Sequence, residues 1–257
     1  MINQEKEEQL LRRRLLDLAN TAYSRGIILF SDFLNMNEQN ICYSLKNELP
    51  MIKYFAYGGF LDAERKVLCF CGDELLKEPA DITYPICCIK VVPVNEKFSD
   101  KLNHRDFLGA VLNLGLDRGK IGDILVDEKE GYLFVNSQVS DFISSELIKV
   151  KHTMVKCMLI DRKDFIYQPN FREITGTVSS TRLDSILSVA FHSSRSSLTG
   201  LIEGGKVAVG GKIVISNSYQ LKDNDIVSVR GMGKFIYSGT SYQTKKGRYS
   251  VKILLYV

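Results

Sequence analysis

The stretch "SRSSLTGLIEGGKVAVGGKIV", residues 194–214, has the residue types of an anion-binding unit. Its serines precede an apolar helical pattern, and serine caps helix starts, where free backbone N–H groups and the helix dipole attract negative charge. Three of its charged side chains are basic: Arg195, Lys206 and Lys212. Glu203 is the single acidic residue of the stretch. The spacing therefore indicates binding of an anionic group, and the arginine can contact a phosphate through two N–H groups.

The charge of the whole chain is uneven along its length. The chain has 257 residues and a net charge of +4. Residues 172–257 contain twelve Lys and Arg against five Asp and Glu, whereas residues 1–171 contain 22 against 25. An anionic partner is therefore expected for the C-terminal part. Charge alone leaves nucleic acid, lipid and an acidic protein as alternatives.

The residues around the basic stretch predict two short helices followed by antiparallel strands. Apolar positions recur at helical spacing in "TRLDSILSVA" and again in "SRSSLTGLIEGG". Gly204–Gly205 ends the second helix, because glycine adopts left-handed backbone angles freely. The segment "KVAVGGKIVI" is typical of a hairpin with a two-residue glycine turn, and "IVSVRG" is typical of a further strand.

The preceding residues predict a helical segment and then a regular α/β pattern. Residues 3–25 are expected to form a helix that ends at Gly26, and "FSDFLNMNEQNICYSLKNEL" predicts further helix interrupted near Asn35–Asn37. Strands are expected in "KYFAYGGFLD" and "ERKVLCFC". From residue 84 the order is β-α-β-β-α-β, which is the ferredoxin-like plan. The mixed segment 161–180 is the expected domain boundary.

The C-terminal third resembles the αL RNA-binding motif, also called the S4 domain. The resemblance rests on "RLD" at the first helix, "SR" at the second, "LIEGGKVAVGGKIV" for the turn and hairpin, and the strand "DNDIVSVRG". Gly210 departs from the pattern, since such domains often carry Asn before the turn glycine. A Gly-Gly pair supports the same turn.

Nearly the full chain resembles the bacterial YlmH-type proteins. The segments "GGFLDAERKV", "HRDFLGAVLNLGLDRGKIGDILV", "SSTRLDSILS", "VRGMGKF" and "TKKGR" occur in the order of that family. The resemblance implies a helical N-terminal segment, an RRM-like middle domain and a C-terminal αL module. It also implies association with rRNA and tRNA on the large ribosomal subunit, and a link to the rescue of stalled translation.

These observations predict an α+β protein with four parts. The expected parts are a helical N-terminal segment with a short β-hairpin over residues 1–80, an RRM-like (ferredoxin-like) domain over 81–165, an S4 RNA-binding domain over 178–240 and a basic C-terminal tail strand over 241–257.

Structured RNA is the partner that the resemblance implies, and the basic residues supply the candidate contacts. In the S4 part these are Arg182, Asp184, Ser194, Arg195, Ser196, Lys206, Lys212, Arg230 and Lys234. Asp184 is expected to orient a neighbouring arginine or to cap the helix. A secondary RNA-binding surface is expected from Arg105, Arg118, Lys120, Lys245, Lys246 and Arg248, with an ordinary solvated surface as the alternative.

The segment "EGYLFVNS" partly matches the RRM strand signature, at Gly131, Tyr132, Phe134 and Val135. Tyr132 and Phe134 share one face of the strand and can either stack on bases or pack against a neighbouring element. We prefer packing, because the acidic Glu130 that opens the motif repels phosphate.

The motifs for kinase chemistry and for zinc binding are incomplete in this sequence. "HRDFLGAV" begins like a kinase catalytic loop, but Val111 stands where the metal-binding Asn is needed. The six cysteines form no CxxC pair and the three histidines are far apart, so no zinc site is expected. We expect a non-enzymatic, cytoplasmic RNA-binding protein without cofactor, metal, membrane or small-molecule partner.

Two alternatives from other classes remain. The first is an RNA-modifying enzyme that uses Asp62, Glu64 or Asp106, which lie before the S4 part of the chain. The second is a ribosome-assembly or interaction adaptor, in which the helix of residues 1–25 docks on a protein partner.

Overall fold

The computed structural model describes residues 2–72, 82–161, 165, 170–245 and 247–256. It divides the chain into two compact units, Met1–Tyr167 (unit 1) and Gln168–Val257 (unit 2). Helices and antiparallel sheets occur in both units, so the α+β class is confirmed.

Unit 1 begins with two helices and a three-stranded sheet. The elements are α1 (Ile2–Arg25), β1 (Leu29–Leu34), α2 (Met36–Ser44), β2 (Lys53–Tyr57) and β3 (Lys66–Cys71). The strands pair antiparallel in the order β1-β3-β2. Buried side chains of α1, among them Leu15 and Ala19, pack on Leu68 and Phe70 of β3.

Helix α2 starts later than the sequence pattern predicts. The prediction of helix was wrong for the residues before Asn35, because they form β1 and pair with β3. Asn35 then caps α2. Its side-chain oxygen accepts the backbone N–H of Glu38 at 3.0 Å, and the Glu38 carboxylate accepts the backbone N–H of Asn35 at 2.6 Å. This capping box fixes the point at which strand becomes helix.

The second part of unit 1 has the ferredoxin-like plan that the sequence predicts. Its elements are β4 (Ile86–Pro93), α3 (His104–Leu112), β5 (Ile121–Asp127), β6 (Glu130–Asn136), α4 (Ser137–Glu146), the short β7 (Lys149–Val150) and β8 (Thr153–Ile160). The sheet order is β5-β6-β4-β8-β7, and all neighbours are antiparallel. Both helices contribute to the core on one face, with Phe107 of α3 and Ile143 of α4 fully buried.

The opposite face of this sheet packs against the first part of unit 1. Phe134 of β6 is fully buried, and its ring centroid lies 4.8 Å from that of Phe60 and 5.0 Å from that of Phe165. Gly59 has a φ of +106°, and a Cβ there would lie 2.3 Å from the Phe134 ring. Glycine is therefore required where this loop approaches the sheet.

Arg65 links the two sheets of unit 1. Its Nη2 donates to the carbonyl oxygen of Phe33 in β1 at 2.7 Å, and its Nε donates to the carbonyl oxygen of Ile121 in β5 at 3.0 Å. The Asp123 carboxylate accepts the backbone N–H groups of Glu64 and Arg65. One arginine and one aspartate thus fix the segment after Gly59 against β5.

Unit 2 is built around one six-stranded sheet and two helices. Its elements are β9 (Phe171–Val178), α5 (Leu183–Phe191), α6 (Arg195–Glu203), β10 (Val207–Val209), β11 (Lys212–Ile213), β12 (Asp225–Val229), β13 (Gly233–Gln243) and β14 (Tyr249–Tyr256). The sheet order is β11-β10-β12-β13-β14-β9. Leu183, Ile186 and Leu187 of α5 are fully buried in the core beneath this sheet.

Two features of unit 2 refine the sequence pattern. β9 lies in segment 161–180, where the composition predicts only an irregular boundary; the strand forms because it pairs with β14 from Phe171 to Val178. The predicted hairpin is present, and its turn residues Gly210 and Gly211 have φ values of +55° and +79°. Two successive positive φ angles are what a tight two-residue hairpin turn requires.

Candidate nucleic-acid interface

Two exposed basic residues stand opposite each other at one end of β10 and β12. Val207 pairs with Val229, and the next pair outward is Lys206 and Arg230, where the Arg230 backbone N–H donates to the Lys206 carbonyl oxygen at 2.9 Å. Residues directly opposite share a face, and like charges in that position repel. Within the described residues neither side chain has a carboxylate partner. An external anion between them would relieve the repulsion.

Arg182 lies at the start of α5 and is oriented by Asp184. The guanidinium Nε lies 3.2 Å from Oδ1 of Asp184, and Nη2 lies 3.4 Å from Oδ2. The Asp184 side chain is only 9% exposed, whereas that of Arg182 is 41% exposed. The expectation that Asp184 orients an arginine agrees with this geometry. The burial of Asp184 removes it from direct contact with a ligand.

Asn217 connects the start of α5 with the end of α6. Its side-chain Nδ2 donates to Oε1 of Glu203 at 2.8 Å, and its backbone carbonyl oxygen accepts the Asp184 backbone N–H at 3.4 Å. Asn217 therefore places the start of α5, with Arg182, beside the end of α6. Glu203 is the last residue of α6 and Lys206 follows three positions later, so Arg182 and Lys206 lie at the same end of the helix pair.

The start of α6 lies at the other end of that pair. Ser194 caps the helix by accepting the Ser197 backbone N–H at 3.4 Å, and Arg195 and Ser196 are exposed. A nine-residue helix is about 13 Å long. Arg195 is therefore separated from the Lys206 end by roughly the length of α6, and one phosphate cannot contact both ends.

The remaining two S4 candidates differ in their exposure. Lys212 is exposed at the turn end of the hairpin, opposite Val209. Lys234 is partly buried, and its Nζ lies 3.8 Å from the centroid of the Tyr256 ring. Burial lowers the pKa of Lys234 to about 8. The ammonium of Lys234 is therefore engaged by the protein and is not part of the exposed basic surface.

The candidates of unit 1 do not form a second free basic patch. Arg118 Nη1 donates to the carbonyl oxygens of Ile121 and Gly122, and burial beside Arg65 lowers its pKa to about 10. Lys120 Nζ donates to Oδ1 of Asp32 at 2.6 Å. Arg105 alone of the three is exposed without an ion pair in the described part of the chain.

The basic tail is exposed around the turn between β13 and β14. Lys245 is exposed, and Lys246 lies outside the described residues. Arg248 is exposed, and its Nη2 donates to the carbonyl oxygen of Thr177 in β9 at 2.6 Å. Arg248 therefore holds the turn against β9, while the remainder of its guanidinium faces solvent.

The RRM-like aromatic pair packs within the protein, as preferred from the sequence. Phe134 is buried, and the Tyr132 ring centroid lies 5.2 Å from that of Phe165. The Tyr132 hydroxyl donates to Oε2 of Glu130 at 2.8 Å. The Phe134 ring is therefore not available as a platform for bases, and the partly buried Tyr132 ring packs on Phe165.

The acidic residues considered for catalysis have other surroundings. Asp62 is exposed, and Asp106 closes the cap of α3 and binds Lys151 Nζ at 3.0 Å. The backbone N–H of Glu64 donates to Asp123. Across the residues that the structure describes, no group of three His, Cys, Asp or Glu side chains is placed to hold a metal ion. Within the same residues no helix is long and apolar enough to cross a membrane.

Sequence reasoning missed two features. Arg65 is the central link of unit 1, but its partners are carbonyl oxygens, which leave no sequence signal. Ile213, Ile215 and Tyr219, beside the basic residues of unit 2, are exposed. The alternation of "KIVI" shows that Ile213 and Ile215 share a face, but it does not show that the face is uncovered.

Comparison with known proteins agrees with this domain order. Residues 79–164 match the family described as "Putative RNA-binding domain in YlmH", and residues 181–227 match the S4 domain family. The S4 match contains Arg182, Arg195, Lys206 and Lys212, and it ends before Arg230.

One relative matches almost end to end. The chain is 28% identical over 250 residues to "Ribosome-associated protein quality control protein P2" of Bacillus subtilis (strain 168), across 96% of this chain and 94% of that protein. The solved structure of "Cell division protein ylmH from Streptococcus pneumoniae" shares the fold, with a TM-score of 0.51 and 21% identity over 63% of this chain and 95% of that chain. With both domain families in order along one chain and a relative of matching length, the chain has the domain order of a YlmH-type protein with a C-terminal S4 domain.

Proposed function

We propose that this protein binds structured RNA through unit 2, with rRNA of the large ribosomal subunit and tRNA as its targets, in ribosome-associated quality control. The observation that carries the proposal is the exposed Lys206 and Arg230 pair, which stands opposite across two strands without a carboxylate partner in the described residues. The similarity to a protein named for ribosome-associated quality control supports the cellular process.

The mechanism is binding without chemistry. Lys206 and Arg230 contact one set of phosphates, and Arg182, oriented by Asp184, contacts the RNA at the same end of the helix pair. The start of α6, with Arg195 and its free backbone N–H groups, contacts the backbone about 13 Å away. Contacts to phosphates position an RNA without reading its sequence, so shape and 2′-hydroxyl groups select the target.

Crosslinking in cells, followed by sequencing of the RNA bound to the full chain, tests this proposal. We expect crosslinks to concentrate in large-subunit rRNA and tRNA, and we expect them to be lost in the double variant Lys206→Gln with Arg230→Gln. Lys97→Gln with Lys101→Gln removes two exposed charges from unit 1 and serves as the matched control. Crosslinks that spread over messenger RNA, or that survive the first variant as well as the second, would overturn the proposal.

A further inference from the structure

Three exposed apolar side chains belong to β11 and to the loop that follows it. Ile213 is 54% exposed, Ile215 is 66% exposed and Tyr219 is 36% exposed. Val214, between the two isoleucines, is buried in the core of unit 2. Because side chains alternate along an extended segment, Ile213 and Ile215 point to the opposite side from Val214. We call Ile213, Ile215 and Tyr219 the apolar strip.

The loop that carries the apolar strip is tied to the helices along its length. The Leu183 backbone N–H donates to the Tyr219 carbonyl oxygen at 2.8 Å, and the Leu221 backbone N–H donates to the Thr181 carbonyl oxygen at 3.2 Å. The Asn217 side chain binds Glu203 at the end of α6. A loop held at three points presents its side chains in a fixed arrangement, so a ligand does not have to order it on binding.

Basic residues lie on both sides of the apolar strip. Ile213 pairs with Ala208, which shares a sheet face with Lys206 two positions earlier. At the other end, Arg182 stands opposite Gln220, the neighbour of Tyr219. Residues 204–222 contain three lysines and no acidic residue. The strip is therefore a small apolar surface flanked by basic residues. Such a surface fits a ligand that has both an apolar face and phosphate groups.

We propose that the apolar strip receives an unpaired nucleotide, so that the ligand of unit 2 is an RNA helix interrupted by a bulge or loop. The inference rests on the proposed RNA-binding function and specifies the class of RNA. The base stacks on Tyr219 and contacts Ile215, and its flanking phosphates contact Lys206, Arg230 and Arg182. A paired base cannot take this position because its faces are covered by its neighbours in the helix, whereas bases in bulges and loops can stack on protein side chains.

The test uses the full chain and two RNA hairpins that differ by one bulged adenosine. We expect wild-type protein to bind the bulged RNA about tenfold more tightly than the continuous one, which corresponds to one base stacked on protein. Tyr219→Ala should lose that preference and keep its affinity for the continuous hairpin, whereas Tyr219→Phe should retain the preference. Ile215→Ser, at the most exposed position of the apolar strip, is a second variant for the same test of bulge preference, and it leaves the core of unit 2 intact.

Three results would overturn the inference. One is equal affinity of wild-type protein for both hairpins, and another is an equal loss for both RNAs in Tyr219→Ala. The third is loss of binding to vesicles of phosphatidylcholine and phosphatidylglycerol in Tyr219→Ala without a bulge preference, which would make the strip a lipid contact. Failure of the proposed function gives a different result. Binding of either hairpin would then be absent, or it would not change when Lys206 and Arg230 are replaced.

Discussion

The basic side chains between the two sheets of unit 1 and the pair at the end of β10 and β12 in unit 2 are used in opposite ways. In unit 1, Arg65 and Arg118 donate to backbone carbonyl oxygens and Lys120 binds Asp32, so these cations hold elements of the protein together. In unit 2, Lys206 and Arg230 are exposed and have no carboxylate partner among the described residues. The number of basic residues therefore does not define a nucleic-acid surface; what matters is whether their N–H donors are already engaged within the protein.

The largest effect is expected from removing the free pair. Lys206→Gln with Arg230→Gln should weaken binding to a structured RNA by about 3 kcal/mol, more than a hundredfold, because two charge-assisted contacts are lost. Thermal stability should stay the same or rise slightly, because the two charges repel each other in the free protein. Fluorescence anisotropy and thermal unfolding measure the two quantities. A drop in the melting temperature that matches the loss of affinity would show that the pair is structural.

The opposite result is expected in unit 1. Arg65→Ala removes the side-chain donor to the carbonyl oxygen of Phe33 and one of the two arginine donors to that of Ile121, and should lower the free energy of unfolding by about 2 kcal/mol. Affinity for RNA, measured on the folded fraction, should not change. Arg105→Ala, at an exposed position of α3, is the control and should change stability by less than about 0.5 kcal/mol. Loss of RNA binding in fully folded Arg65→Ala would contradict the purely structural role given to Arg65 in unit 1.

Within unit 2, alanine variants of Arg182 and Arg195 should differ in stability but not in their effect on RNA affinity. Each alanine variant should weaken RNA binding by about 1.5 kcal/mol. Arg182→Ala should also lower the free energy of unfolding by about 1 kcal/mol, because it leaves the nearly buried Asp184 carboxylate without its partner. Arg195→Ala should leave stability unchanged, since Arg195 is exposed. Equal stabilities of the two variants in urea unfolding would contradict the role given to Asp184.

These contrasts show where sequence reasoning succeeds and where it fails. The helix pair and the glycine hairpin of unit 2 were predictable because their signals are local: Ser194 at a cap, Gly210 and Gly211 in the turn. The ferredoxin-like order followed from alternating strand and helix patterns for the same reason.

Failures occurred where a distant partner decides the outcome. The sequence predicts Lys120 as a surface cation because its partner, Asp32, lies 88 positions away. The sequence pattern predicts helix from Phe30 onward, whereas the chain forms strand up to Leu34 because it pairs there with β3, which is distant in sequence. Exposure of Ile213 and Ile215 depends on β11 being the edge strand, which no local pattern reveals.

The smallest effect concerns Lys234, whose ammonium is partly buried against the Tyr256 ring. Burial lowers its pKa to about 8, so between pH 8 and pH 10.5 the unfolded chain binds more protons than the folded one. The contribution of Lys234 to stability must then rise with pH across that interval, so the unfolding free energy of wild type relative to that of Lys234→Met should increase. RNA affinity of Lys234→Met at pH 7 should stay within about twofold of wild type. Identical slopes of the unfolding free energy in both proteins would show that the lysine is not buried in solution.

The salt dependence of RNA binding shows whether Lys206 and Arg230 neutralise phosphates. Wild-type protein and the variant Lys206→Gln with Arg230→Gln are titrated with the same RNA hairpin over a range of salt concentrations. If each residue neutralises one phosphate, the slope of log K against log salt should be shallower in the variant by about 1.5, since each phosphate contact contributes roughly 0.7–0.9. Equal slopes in the two proteins would mean that Lys206 and Arg230 do not contact the RNA backbone, and would contradict the account.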